Sequence, residues 1–149
     1  MNCEIIMSKK PTEWEILEID SLSNIVFTQA YPIEKLQERL NQSEDIRLYY
    51  IVANEKMVAF KIGYQWNEET FYSWIGGVNP EHRRKGLAKS LLLAMQNDLE
   101  DSNYKILRTH SRNQFPQMIA LNLNNGFYIT DTIASDDPLD PKIVFQKNL

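Results

Sequence analysis

The sequence predicts an α/β fold, a mixed sheet with helices on its faces, on three observations. Three strand-like runs stand consecutively between residues 48 and 78. A long amphipathic helix pattern follows them directly. Helical and strand-like segments then alternate to the end of the chain. Together they give the order β-α-α-β-β-β-α-β-α-β-β, which buries its apolar surface only if helices pack on a sheet. A chain of 149 residues can build a full hydrophobic core. It shows no repeat, low-complexity tract or linker, so a single domain over residues 1–149 is expected.

Cys3 to Ser8 is a short apolar run and reads as the first strand. Lys10-Pro11-Thr12-Glu13 starts a helix, with proline near the first position and acids in the first turn. Trp14, Leu17, Leu22, Ile25 and Val26 carry its helical periodicity to about Ala30, where Tyr31-Pro32 breaks it. Ile33 to Leu40 is a second short helix.

Leu48 to Ala53 is apolar throughout and reads as a buried strand, and Asn54-Glu55 as a turn. Met57 to Trp66 alternates with period two, which puts Val58, Phe60, Ile62, Tyr64 and Trp66 on one face. Phe71 to Val78 is the third strand of this set, with Gly76-Gly77 near its end. Glycines inside a strand mark a bulge or the close approach of another backbone or a ligand. Gly86 to about Asp101 is the strongest helix, with Ala88, Leu91, Leu92, Met95 and Leu99 on its apolar face. Tyr104 to Thr109 is a strand and Asn113 to Asn124 a helix with Pro116 in its first turn. Phe127 to Thr130 and Ile143 to Gln146 are closing strands around an acidic, turn-rich loop.

Composition excludes several classes. The net charge of -4 argues against a nucleic-acid-binding surface. The single cysteine, Cys3, excludes an internal disulfide and a cysteine-based metal site. The N-terminus lacks the pattern of a signal peptide, and no apolar run reaches membrane-spanning length. A cytoplasmic protein with neither nucleic acid nor membrane as partner is expected, a monomer or homodimer. His82 and His110, far apart in sequence, make no metal motif, so no metal is expected.

One stretch breaks an electrostatic rule. Arg83, Arg84, Lys85 and Lys89 crowd the start of the strongest helix, where the backbone dipole and unpaired N–H groups favour anions. A bound anion would make amides, dipole and side chains act together. Gly86 allows close backbone approach, and Pro80 fixes the exit from the preceding strand. There is no P-loop and no Gly-x-Gly-x-x-Gly motif. Charge alone leaves a solvated basic turn as open as an anion site. The acids Asp98, Glu100 and Asp101 at the same helix's C-terminus are also of the wrong sign.

Arg83-Arg84-Lys85-Gly86-Leu87-Ala88 resembles the Arg/Gln-x-x-Gly-x-Gly/Ala signature of the GNAT acetyltransferase superfamily. Val78-Asn79-Pro80 stands in the usual preceding place, and Asn113, Met118, Leu121, Asn122 and Gly126-Phe127 resemble the family's second acetyl-CoA segment. The resemblance covers about Leu48 to Ile129. It implies a mixed, mostly antiparallel sheet of six to seven strands with about four helices, splayed at the central strands to admit a thioester. It implies acetyl-CoA as co-substrate and a primary amine, of a small molecule or a protein, as acceptor. Backbone N–H groups from Arg84 to Ala88 would hold the pyrophosphate, with the side chains of Arg83, Arg84, Lys85 and Lys89 in support. Gly77 and Val78 would pair with the pantetheine arm, and Asn113 would face the cofactor.

Many relatives carry a tyrosine, the general acid to the thiolate, where this chain has Asn122, which can donate a hydrogen bond but not a proton. Tyr72 falls near the place where some relatives have a glutamate base. The catalytic acid and base are therefore unassigned, and a non-catalytic acyl-CoA-binding module stands as the alternative. His110, at the end of a strand, is a candidate proton relay. Trp14, Trp66 and Trp74 read as core or cleft wall. Glu13, Glu15, Glu18 and Asp20, with Glu68 and Glu69, are either wet surface or a lure for a cationic amine.

Overall fold

The computed structural model describes residues 4–149. Its strands are β1 (Ile6–Ser8), β2 (Arg47–Ala53), β3 (Lys56–Gln65), β4 (Thr70–Val78), β5 (Ile106–Ser111), β6 (Tyr128–Ile133) and β7 (Lys142–Asn148). The α-helices are α1 (Glu13–Val26), α2 (Ile33–Gln42), α3 (Leu87–Glu100) and α4 (Pro116–Asn124), and one 3-10 turn, Pro80–His82, precedes α3. The strands form one seven-stranded sheet in the order β1-β2-β3-β4-β5-β7-β6. Every neighbouring pair is antiparallel except β4 and β5, which are parallel. This is the mixed, mostly antiparallel α/β architecture that the sequence predicts. Cys3, placed by the sequence in the first strand, lies outside the described residues.

Local chemistry explains the elements. Thr12 and Glu15 form a reciprocal capping box at the start of α1, with Glu15 Oε1 accepting from Thr12 N at 2.8 Å and Thr12 Oγ1 accepting from Glu15 N at 3.2 Å. Ser8 donates to the same carboxylate at 2.9 Å, which ties β1 to the helix. Asn54 and Glu55, at φ 52° and 64°, make the two-residue turn of primed type that joins β2 to β3.

Two apolar clusters sit on opposite faces of the sheet. One packs α3 against Tyr49, Ile51, Phe71, Leu107 and Phe145. The other packs α1 and α2 against Leu48, Tyr50, Phe60, Ile62 and Trp74. The buried face of α1 holds Leu22, with Val26 packed beside it, as the periodicity predicts, and adds Ile19, Ser23 and Glu15, while Trp14, Leu17 and Ile25 are exposed. Glu15 is accommodated there because its carboxylate caps the helix and accepts from Ser8. Val58 also departs from expectation. A β-bulge shifts the β2–β3 register between Ile51↔Ala59 and Val52↔Met57, so Val58 joins the α3 cluster while Phe60, Ile62 and Tyr64 go to the other face.

One of the acids at the end of α3, Asp98, finds its reason at the far end of the sheet. Asp98 pairs with Arg47 at 2.9 Å and accepts a short hydrogen bond from Tyr49. Arg47 also holds Asp45 at 3.1 Å, and Tyr104 donates to Asp45 at 2.6 Å. This buried network joins β2, α3 and the approach to β5, so Asp98 answers to a cation and not to the helix dipole.

Lys61 is the costly residue of the core. It faces the α3 side, paired through its backbone with Tyr49 and Gly76, is 9 % exposed, and its ammonium makes no hydrogen bond or ion pair among the described residues. Burial pushes its pKa down from 10.5 to about 8. Between these two values the unfolded chain holds a proton that the folded chain has shed, so stability rises with pH across that window. Below it, the folded state carries the full cost of the buried charge. Lys61→Met is expected to stabilise the protein at neutral pH by about 3 kcal/mol and to flatten the rise. Urea unfolding at neutral and alkaline pH measures both; a variant no more stable at neutral pH refutes the assignment.

Candidate active site

The site begins where two strands part. β4 and β5 pair over four positions, from Thr70↔Ile106 to Ser73↔Thr109. Thr109 Oγ1 donates to Ser73 O at 3.1 Å as the last link. Beyond it β5 stays with β7 and β4 stays with β3. On the β3 side, Ile62 pairs with Ile75 but Gly63 pairs with Ser73, so Trp74 is an extra, bulged residue. From Trp74 to Val78, β4 therefore has no strand beside it on its β5 edge. Burial follows this boundary, with Thr70 to Trp74 buried and Ile75 to Val78 half-buried. The backbone groups of that edge are free to pair with an extended ligand.

The basic turn continues from this edge. Asn79 N donates to Val58 O at 2.8 Å, and Asn79 Oδ1 caps the 3-10 turn by accepting from Glu81 N at 2.9 Å. Arg84 and Gly86 both take left-handed backbone, at φ 63° and 75°. Gly86 is the N-cap of α3 and offers no side-chain cap, and no acid lies in the first turn. As a result, no backbone N–H from Arg84 to Lys89 donates a hydrogen bond among the described residues. Arg83, Arg84, Lys85 and Lys89 are exposed, and none is in an ion pair among those residues. A Cβ on Gly86 would meet nothing within 4 Å, so the space over the turn is open. Free amides beside uncompensated cations are the chemistry that an anion site at a helix N-terminus requires.

Other members of the sequence-derived set are placed differently. Gly77 and Val78 end β4 on the open edge, but the lack of a side chain at Gly77 serves α1: a Cβ there would lie 3.2 Å from Val26 Cγ1. Leu87 is buried in the core beside Leu91, and Ala88 is half-buried, so what Leu87 can offer a ligand is its unpaired N–H and not its side chain. Asn113 is in an exposed turn before α4 and not on the helix, which starts at Pro116 because proline fits its first turn. Its side chain donates to Leu139 O at 3.1 Å, across to the acidic loop before β7. Asn122 lies buried within α4, and its side chain makes no hydrogen bond among the described residues. No hydrogen bond joins Asn113 or Asn122 to the basic turn.

A cleft of ≈ 530 Å³ lies on the α1–α2 side of the parted strands, lined by Ile75, by Asp20 and Ser23 of α1, by Tyr31 of the α1–α2 loop, and by Arg112 and Phe115 after β5. Ser23 Oγ is buried without a hydrogen-bond partner. Of the acids named as a lure for an amine, only Asp20 is on the cleft. Glu15 is a cap, Glu18 accepts from Met57 N at 2.9 Å, and Glu69 pairs with Lys105 at 3.2 Å.

Composition and motif singled out His110 and Tyr72 separately but did not find the polar chain that joins them to Arg108. Arg108 Nε donates to His110 Nε2 at 3.0 Å, and His110 Nδ1 lies 3.1 Å from Tyr72 Oη. Arginine only donates, so Nε2 is the acceptor and Nδ1 of the neutral ring carries the proton, donated to Tyr72 Oη. Tyr72 keeps its own O–H for another acceptor. Burial, then the charges of Arg108 and Lys142, push the His110 pKa down to about 4. The alternation of β5, which puts Arg108 and His110 on one face, was the available signal.

The family model for the acetyltransferase (GNAT) domain matches residues 27–108, more than half of the chain. The chain belongs to the GNAT family. Comparison with curated protein sequences finds no match. Solved GNAT structures share the fold. The ribosomal-protein-S18-alanine N-acetyltransferase from Escherichia coli superposes with a TM-score of 0.81 at 19% identity, over 97% of this chain and 94% of that one. A GNAT family acetyltransferase from Elizabethkingia anophelis, with acetyl-CoA bound, gives 0.77 at 18% identity over 99% of both chains. The PaiA N-acetyltransferase from Thermoplasma acidophilum, in complex with coenzyme A, gives 0.76 at 17% over 98% and 99%. Among the described residues of this GNAT chain there is no cluster of three or more metal-ligating side chains, and no helix is long and apolar enough to cross a membrane.

Because the constraint at Gly86 is its left-handed backbone and not space, Gly86→Ala is expected to cost about 1 kcal/mol or somewhat more. Arg84→Gly, which relieves the same strain at its own position, is expected to leave stability unchanged or raised. Urea unfolding of both variants checks this; an alanine at 86 without cost contradicts it.

Proposed function

We propose that this GNAT protein, acting as one domain over residues 1–149, is an N-acetyltransferase that moves the acetyl group of acetyl-CoA directly to a primary amine. The observation that carries this reading is the run of unpaired N–H groups from Arg84 to Lys89, continuous with the open β4 edge. Its support is the agreement of that run with the family signature. Arg84 to Ala88 would hold the pyrophosphate through their backbone, with Arg83, Arg84, Lys85 and Lys89 adding charge. Gly77 and Val78 would pair with the extended arm, with Asn113 and Asn122 flanking it from the α4 side.

The co-substrate supplies an activated acyl group; the protein supplies position and electrostatics. The amine, brought in through the cleft at Asp20 and Ser23, forms the new C–N bond as the C–S bond breaks. Its proton leaves to water, and the sulfur departs as thiolate or thiol. Free β4 N–H groups near the Trp74 bulge stabilise the negative oxygen that develops. His110 does not act as base, since Nε2 is engaged by Arg108 and the ring stays neutral. A coenzyme A thiolate is a good enough leaving group to depart without an acid, so Asn122 is compatible with catalysis. A non-catalytic acyl-CoA-binding module is the second reading, favoured by the same Asn122, whose buried amide cannot deliver a proton.

Titration calorimetry with acetyl-CoA is expected to give saturable binding, and its absence overturns the first reading and the second alike. Replacing Arg83, Arg84 and Lys85 together by alanine is expected to weaken binding by about ten- to a hundredfold and to reduce its salt dependence. Free-thiol release across an amine panel separates enzyme from binding module. The rate is expected to show no inflection due to His110 at the usual histidine range of about 6 to 7, so His110→Gln should leave the shape of the pH profile unchanged there. A lost inflection in the variant would show that His110 titrates in catalysis.

A further inference from the structure

Lys61 is a buried cation for which the fold supplies no partner, and it stands beside the open edge. It is on β3 and pairs with Gly76, one of the β4 residues that have no strand on their β5 side. A Cβ at Gly76 would lie 3.5 Å from Lys61 Cα and 3.7 Å from Lys61 Cβ, so the two residues stand side by side on the α3 face. With no side chain at Gly76, the way from Lys61 to the gap is clear. One strand spacing, about 4.8 Å, separates β3 from β4, and one more separates β4 from whatever pairs with its open edge. The four-carbon stem of lysine, with the ammonium at its end, spans most of that width.

Two observations direct the ammonium. Burial alone accounts for its lowered basicity, and no charged group contributes. On the elements packed around it, the charged or titratable side chains of this face are Arg47 and Tyr49 of β2 and Asp98 of α3, and Asp98 is bonded to the other two. A charge within range would move the basicity of Lys61. The ammonium is therefore turned away from β2 and toward Gly76. Nor is it sealed off: the sealed, unpartnered polar atoms among the described residues are Ser23 Oγ, His82 Nδ1 and Asp140 Oδ1. Across the gap the same face carries Thr109 and Ser111 of β5, both buried. It also receives α4, whose Ile119 and Leu121 pack against the α3 cluster and whose buried residue is Asn122.

Resting on the acetyl-transfer reading, we infer that Lys61 is the catalytic partner of the coenzyme A sulfur: its ammonium reaches the thioester sulfur across Gly76, stabilises the departing thiolate and gives it a proton. As the C–S bond breaks, the electron pair goes to sulfur and the proton on Nζ follows it. The products are the coenzyme A thiol and a neutral lysine. Water returns a proton to Nζ, balanced by the proton that the acceptor amine has released to water. The sulfur can leave unaided, but in an apolar site a neighbouring ammonium lowers the cost of its charge. Lys61 thus supplies the acid that Asn122 cannot be, and a residue that costs the fold stability gains a use.

The test uses the full chain and free coenzyme A, with desulfo-coenzyme A as control. Thiolate formation is followed by ultraviolet absorbance at saturating coenzyme A. In the wild-type protein the bound thiol is expected to ionise about one pH unit or more below its value in Lys61→Met, the shift that a close opposite charge produces. At about pH 8 coenzyme A is expected to bind Lys61→Met about tenfold more weakly, while desulfo-coenzyme A binds both proteins equally. A lysine that serves only the fold moves both ligands together or neither, and leaves thiol ionisation unchanged; that result overturns the inference. Lys61→Gln gives the same comparison should methionine disturb the core. Catalysis is read with hydroxylamine, an acceptor too small to need a fitted site. Acetohydroxamate formation from acetyl-CoA is expected to fall about tenfold or more in Lys61→Met at neutral pH, although the variant is the more stable protein. An unchanged rate overturns the inference. If hydroxylamine is not acetylated above the uncatalysed rate, thiol ionisation decides alone. If coenzyme A does not bind at all, the acetyl-transfer reading has failed; if it binds and its thiol ignores residue 61, only the role of Lys61 has failed.

Discussion

The parallel pairing of β4 with β5 lasts four residue pairs, and the rest of the molecule depends on where it stops. Two features set that point. The Trp74 bulge turns β4 away from its neighbour, and Gly63 makes room for the turn on the other side. A Cβ at Gly63 would lie 2.3 Å from Tyr72 O and 2.6 Å from Phe71 Cε1, so no other residue fits without moving the strand. The bulge and the glycine are one device. It frees a backbone edge, swings the chain toward α3, and aims Trp74 into the face where Tyr31 and Arg39 meet it.

The charge distribution divides the molecule. At the far end of the sheet Arg47 is satisfied by Asp45 and Asp98, and β2, α3 and the approach to β5 are joined there. At the open end the cations of the turn go without acids among the described residues. That they do so beside a run of free backbone N–H groups is the physical reason for reading the turn as ligand-facing.

Much of this was legible in the sequence. The order of elements and the helix after the basic turn followed from periodicity, because strands and helices with one wet face advertise it. The basic turn was legible because its residues are contiguous. What stayed hidden depends on register. Val58 changes face and Trp74 is an extra residue, each at a bulge, and a bulge leaves no mark in a two-residue alternation. The inward face of α1 includes two polar residues, Glu15 and Ser23, which an apolar count leaves out. Asn113 reads as helical by spacing, but Pro116 holds the helix start three residues later. The Tyr72–His110–Arg108 chain joins strands far apart in sequence, and Asp98 finds Arg47 across the domain's length; no local pattern carries such pairs.

The short seam has a mechanical meaning. On one side of it β1 to β4 form a leaf with its own ladders, and on the other β5, β7 and β6 form a second. Rotation of one leaf against the other leaves both ladders whole and is resisted by the four pairs between them and by the α3 core that spans both leaves. The coordinate that the strand pairing holds least is the angle at the gap. A molecule seated in the gap acts as a wedge, its thickness setting that angle, and the cleft wall carried on the first leaf moves with it relative to His110 and Arg108 on the second.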